Sequence, residues 1–150
     1  MSYRLRAHTA DVAVEATAGT IGEVFAAVAD GMAAAMCESA PDDGSVHAVE
    51  IDAESREALL FDYLDELIYE RDVRSVLPVD NDATVECGRE IEDGPPVETE
   101  ESDRRWRLCG QYRGVPLSAV TARDLKAVTY SEMDLSETED GWHAYVVFDV

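Results

Sequence analysis

The sequence predicts one α+β domain over residues 1–150, with two helices packed on a single mixed or antiparallel sheet. Three observations predict it. Two stretches carry apolar residues at the three-and-four spacing of a helix, each behind a capping residue. The first elements run strand, helix, strand, helix. After them comes a succession of alternating stretches, with no internal repeat. A chain of 150 residues is long enough for one real core, burying roughly 70% of its unfolded surface.

Tyr3 to Arg6 reads as a short extended run at best, and His8-Thr9-Ala10-Asp11 as a turn. Val12, Val14 and Ala16 then alternate with Ala13, Glu15 and Thr17, the period of a strand with one covered face, and Gly19 breaks it. Thr20-Ile21-Gly22-Glu23 has the form of a capping box. Behind it, Ile21, Val24, Phe25, Val28, Met32, Ala35 and Met36 mark one helical face, ended by Pro41-Asp42-Asp43-Gly44. Met32 and Met36 read as core filler.

Val46 to Ala53 is a second strand, with Val49 and Ile51 inward and Glu50 and Asp52 outward. Ser55 caps a second helix from Arg56 to about Arg71. Its set of Leu59, Leu60, Phe61, Tyr63, Leu64, Leu67 and Ile68 is wider than a surface helix needs, which predicts the more buried of the two helices. Asp62, Asp65 and Glu66 fall on the remaining face and read as solvated carboxylates. Val73 to Val79 and Ala83 to Cys87 read as short strands parted by a turn at Asp80-Asn81-Asp82. Arg89 to Asp103, acidic and holding Gly94-Pro95-Pro96, reads as a solvated loop.

Arg104 to Tyr112 is the next strand, with Trp106, Leu108, Gly110 and Tyr112 alternating, and Arg113-Gly114-Val115-Pro116 turns the chain. Leu117 to Arg123 fits extended chain or a short helix. Leu125 to Tyr130 is a strand by content. Asp134 to Asp140 is polar and closes on Asp140-Gly141, a hairpin signal into the last strand, Gly141 to Val150.

Asp and Glu number 33 against 12 Lys and Arg, a formal net charge of −21. Such an excess reads as an acidic face for a basic partner or as adaptation to very high salt. Eleven of the basic residues are Arg and one is Lys, Lys126, which with the many Ala and Val favours the halophilic reading. At molar salt the Debye length falls to about 3 Å, so the self-repulsion is screened. With no basic stripe to neutralise phosphates, direct nucleic-acid binding is not expected. Cys37, Cys87 and Cys109 lack CxxC spacing and read as reduced thiols of a cytoplasmic protein. No signal peptide or long apolar run predicts a membrane span.

Known site grammars come out mostly negative. There is no GxGxxG, P-loop or nucleophile elbow, and His8, His47 and His143 lack metal-ligand spacing. What remains is a carboxylate set: Asp11 after the His-Thr-Ala turn, and Asp149 beside the α-carboxylate of Val150. Antiparallel strands would bring the start of one beside the end of the other, and three oxygen groups suit a hard cation such as Ca²⁺ or Mg²⁺. Asp11 reads equally as a turn or capping aspartate, and the ending as a frayed terminus. Lys126 reads as a surface lysine, or as a counter-charge or phosphate contact at a position that wants an ammonium specifically, since Arg is used everywhere else.

The chain resembles the archease family, the small protein partners of the RtcB-type, GTP-dependent RNA ligase of tRNA splicing. The resemblance rests on His8-Thr9-Ala10-Asp11, on Leu59 through Tyr69, on Leu125-Lys126-Ala127-Val128-Thr129-Tyr130, and on the ending Asp140-Gly141-Trp142 through Val147-Phe148-Asp149-Val150. These blocks recur in the same order and spacing over nearly the whole length. The resemblance implies a metal site of Asp11, Asp149 and the terminal Val150, with Ca²⁺ the favoured occupant over Mg²⁺ or Mn²⁺, and a functional lysine at Lys126. It implies a non-enzymatic activator that promotes guanylylation and multiple turnover of the ligase. The family usually has His after the Val-Thr-Tyr run, where this chain has Ser131. Two readings of other classes stand beside it: a small metal-dependent phosphoester hydrolase, and a chaperone-like binding module with a structural metal.

Overall fold

A computed structural model describes residues 2–8, 11–37, 39–87 and 105–150, the side chains of residues 6–8 and 87 excepted. In chain order the elements are β1 (Ser2–His8), β2 (Asp11–Ala18), α1 (Ile21–Met36), β3 (Ser45–Ala53), α2 (Arg56–Arg74), β4 (Val76–Cys87), β5 (Trp106–Pro116), a single 3-10 turn (Leu117–Ala119), β6 (Ala127–Thr138) and β7 (Gly141–Asp149). The α+β class and the two helices are as predicted. The strands, however, divide into two sheets instead of one, in the orders β1-β2-β7-β6 and β3-β5-β4, with antiparallel ladders throughout.

The reason for two sheets lies in α1. It packs against β2 of the larger sheet and β4 of the smaller, and 12 of its 16 residues are buried. α2 buries 8 of 19, so α1 is the more buried helix, the reverse of the expectation from stripe width. Its second face is built from Gly22, Ala26, Ala29 and Ala33, too small to register as a stripe yet suited to close approach. At Gly31 an added Cβ would stand 2.5 Å from Val14 Cγ1, and at Gly22 one would run into the Ala83 carbonyl oxygen. The two sheets therefore close onto α1 from opposite sides, and Phe25, Met32, Leu60, Leu64, Leu108 and Phe148 fill the core around it.

Both predicted caps form. Thr20 Oγ1 accepts from the Glu23 N–H at 3.1 Å and Ser55 Oγ from the Ala58 N–H at 3.0 Å, each worth about 1 kcal/mol. α1 ends at Met36, ahead of the Pro41-Gly44 stop. α2 runs on to Arg74, taking Val73 from the predicted strand, and Ser75 follows in the left-handed region at φ 55.

Four strand predictions change. β1 is a full seven-residue edge strand paired along its length with β2. β4 is one strand, not two: its ladder breaks only between Val79 and Asp82, and Asp80 sits at φ 51. β5 runs through the predicted turn to Pro116, and the chain turns afterwards at the 3-10 turn. β6 likewise absorbs most of the polar 134–140 stretch, with a break between Thr129 and Asp134. The hairpin into β7 is the two-residue turn Glu139-Asp140, with Gly141 at φ 142. The predicted acidic loop Arg89 to Asp103 lies outside the described residues. Among those described, no helix is long and apolar enough to cross a membrane.

Candidate functional site

Val12, Val14 and Ala16 of β2 stand opposite Phe148, Val146 and Ala144 of β7. All but the half-buried Val12 are buried, so this face is the inner one. Side chains alternate along a strand, which puts Asp11 and Asp149 on the outer face. They are direct partners in the ladder, and Asp149 in turn faces Ala127 of β6. Asp11 opens β2, Asp149 closes β7 and Ala127 opens β6, so three strands end in one row.

Lys126 stands one residue outside that row. Its N–H donates to the Asp149 carbonyl oxygen at 2.8 Å, and its side chain is exposed. Val150 follows Asp149 directly and is 40% exposed. Asp11, Asp149 and the Lys126 backbone are thus brought together, with Val150 next in the chain. Of the block that led into Asp11, Thr9 and Ala10 lie outside the described residues, and His8 is the ladder partner of Asp11.

Two carboxylates on directly opposite ladder positions repel unless a positive charge is shared between them. The donors here are all hard oxygens, which fits Ca²⁺, Mg²⁺ or Mn²⁺ and not a soft metal. Among the described residues no three His, Cys, Asp or Glu side chains group to hold a metal ion. A cation at this row would therefore need the α-carboxylate of Val150 and water beside its two side-chain ligands. A cleft of 780 Å³ opens next to it, between the end of α1 and residues 119–123. Asp11 lines this cleft with Leu5, Val12, Met36, Pro41 and Val120.

A second polar cluster on the same face was not expected. His143 Nδ1 lies 2.8 Å from Asp134 Oδ2 and Nε2 lies 3.0 Å from Glu15 Oε2. Carboxylates only accept, so the doubly protonated imidazolium satisfies both contacts. Those contacts, the Glu15 bond foremost, raise the His143 pKa above its ordinary value despite partial burial. Sequence alternation placed Glu15 outward, but nothing in the sequence stated the register that sets His143 between it and Asp134.

Other titratable groups are tied into the frame. Burial would raise the Glu70 carboxyl, but bonds from Tyr112 Oη at 2.6 Å and Arg74 Nε at 2.9 Å outweigh it and hold the pKa low. Asp62 and Asp65 are exposed, as predicted, and burial with the Asp65 charge moves Asp62 up. Ser131 is exposed, and its N–H donates to Thr129 Oγ1 at 3.2 Å.

The model of the Archease protein family matches residues 3–150. The chain is 33% identical to protein archease of Methanosarcina acetivorans, covering 99% of this chain and 95% of that one. It is 29% identical to protein archease of Thermococcus kodakarensis, covering 95% and 94%. In fold it is similar to the solution structure of protein 1598 of Methanobacterium thermoautotrophicum, with a TM-score of 0.73 at 24% identity over 99% of both chains. It is also similar to the crystal structure of an archease, described as a possible chaperone, from Thermotoga maritima. That likeness has a TM-score of 0.59 at 18% identity over 98% and 96%.

Proposed function

This chain belongs to the archease family, and from that premise we propose that it is a non-enzymatic, cytoplasmic activator of the RtcB-type, GTP-dependent RNA ligase of tRNA splicing. Its action is to promote guanylylation of the ligase and so its repeated turnover. The observation that carries the site assignment is the row in which Asp11 faces Asp149 while the Lys126 N–H holds the Asp149 carbonyl.

In this reading Asp11, Asp149 and the α-carboxylate of Val150 hold a divalent cation, Ca²⁺ before Mg²⁺ or Mn²⁺ as the family resemblance implies, with water completing its coordination. When bound, the cation supplies a fixed positive charge at the strand ends. The protein's own contribution is positional. Three antiparallel strands fix the two carboxylates in register, and the backbone bond at Lys126 fixes where its side chain begins. The exposed ammonium then supplies a second positive charge for the nucleotide triphosphate in the ligase, where fixed and oriented charge lowers a barrier most. Part of the acidic excess, in the same reading, is adaptation to high salt.

The description of the Thermotoga maritima relative as a possible chaperone supports a second reading. There the cation staples the ends of β2, β7 and β6, and the chain binds a protein partner by another surface.

The test is guanylylation of the cognate ligase with and without this protein. The expected result is strong stimulation by wild type, with at least a tenfold loss in Asp11→Ala, Asp149→Ala and Lys126→Ala. Residues added beyond Val150 should weaken Ca²⁺ binding in titration calorimetry. Full stimulation by all three folded variants would discard the site, and if chelation then lowered only the Tm, the stapling reading would replace it.

A further inference from the structure

The Lys126 side chain is only as well placed as the segment that carries it, and that segment, residues 120–126, has no regular structure. Three hydrogen bonds hold its last four residues. The Arg123 N–H donates to the carbonyl of Met36, the last residue of α1, at 2.7 Å. The Lys126 N–H donates to Asp149 at 2.8 Å. Between them, Arg71 Nη1 of α2 donates to the Leu125 carbonyl at 2.6 Å.

The middle bond is the unusual one. Arg71 is 8% exposed and one of three buried polar or charged residues among those described. Burying a guanidinium is costly unless its donors are used. Here Nε and Nη2 both reach Asp72 Oδ1 at 3.0 Å, and Nη1 is left for the Leu125 carbonyl, with Met36 Sδ at 3.3 Å. The bond is short and charge-assisted, the stronger kind. It falls on the peptide unit that joins Leu125 to Lys126. The Leu125 side chain, 1% exposed, anchors the same unit in the core.

We propose that Arg71 is a positioning residue for Lys126: from α2 it locks the Leu125–Lys126 peptide against the end of the carboxylate row, so that the ammonium is presented in one place. The geometry has a reason to exist under this reading. A surface strand end needs no buried charge to fold, whereas a lysine that must meet a phosphate in a partner's site loses effectiveness with every loosened torsion behind it. The inference rests on the assignment of Lys126 made above.

The test compares wild type, Lys126→Ala, Arg71→Met and the double variant, each checked to be folded at the assay temperature. Arg71→Met keeps the stem and removes the donors. The expected result is at least a tenfold loss of maximal ligase guanylylation, with the concentration of this protein giving half-maximal stimulation changed less than twofold. The double variant should be no worse than Lys126→Ala. Amide hydrogen exchange at Lys126 should speed up at least tenfold in Arg71→Met.

Wild-type stimulation by Arg71→Met, or losses that multiply in the double variant, would overturn the inference while leaving Lys126 in place. Wild-type stimulation by Lys126→Ala would overturn the underlying assignment and the inference with it. If Arg71→Met does not fold, Arg71→Lys decides: it keeps the buried charge without the guanidinium fork, and full stimulation by it overturns the inference where a partial loss upholds it.

Discussion

β4 and β6 carry the same device and put it to different use. Each breaks its ladder for a few residues, and each holds one residue in the left-handed region, Asp80 at φ 51 and Glu132 at φ 56. The β4 bulge faces inward. Its Asn81 is 7% exposed and donates from both N and Nδ2 to Asp30 Oδ1 of α1, at 2.9 Å each, and from Nδ2 to the Pro78 carbonyl. The β6 bulge faces outward. Tyr130 is 55% exposed and stacks on Phe61 of α2, with ring centroids 4.2 Å apart. Its far end resumes pairing at Asp134, the residue bonded to His143. The inward bulge joins a helix to a sheet, while the outward one interrupts the strand that begins directly after Lys126. A bulge whose anchors are buried serves the frame, and one whose anchors are exposed or titratable is left free to serve a surface.

Removing the anchors one at a time sharpens the contrast. Asn81→Ala should cost most, about 2 kcal/mol or roughly 6 °C in Tm, because it takes the Nδ2 donor from half-buried Asp30, leaving only the backbone N–H of residue 81, and frees the Pro78 carbonyl as well. Burial already raises the Asp30 pKa, with the Asn81 bonds opposing, so the variant should take up a further proton there. Urea melts give the first number. Loss of less than about 0.5 kcal/mol would mean that the inward bulge is not anchored as described.

Tyr130→Ala should cost less, about 1 kcal/mol, from the lost stack. Its signature is local: faster amide exchange across residues 130–133 with residues 79–82 unchanged. Equal acceleration in both segments would erase the distinction between the bulges.

The smallest effect is a pH dependence. The two carboxylates hold the charged form of His143, so its pKa is higher in the folded chain than the ordinary 6.5 of the unfolded one. Its stabilisation is complete below 6.5 and is lost as pH rises through the folded value, by about 0.5 kcal/mol for a partly exposed pair. Melts of wild type and His143→Asn should converge as pH climbs past that range. A gap that widened instead would place the neutral ring between the carboxylates.

Much of this was legible in the sequence where a local rule decides the outcome. Thr20 and Ser55 announced both helices, and the alternation through Val12, Val14 and Ala16 announced β2. The β4 bulge reads as a turn because Asp80-Asn81-Asp82 has turn composition, and only the distant Asp30 makes it part of a strand. Only one face of α1 is visible in the sequence because alanine and glycine carry no stripe, although they are what lets two sheets close on it. Of the candidate site, the meeting of Asp11 and Asp149 followed from where strands begin and end. His143 and Arg71 could not have been singled out, since a register and a helix–loop contact decide their partners.

The row at Asp11 also fixes when it can come into being. β2 and β7 lie near opposite ends of the sequence, yet each supplies half of one ladder. Closing so long a loop is entropically late in folding, and during synthesis β7 leaves the ribosome after every other strand. A chain in which β7 has not docked lacks the paired carboxylates altogether. Competence at this row therefore waits until β7 has docked beside β2.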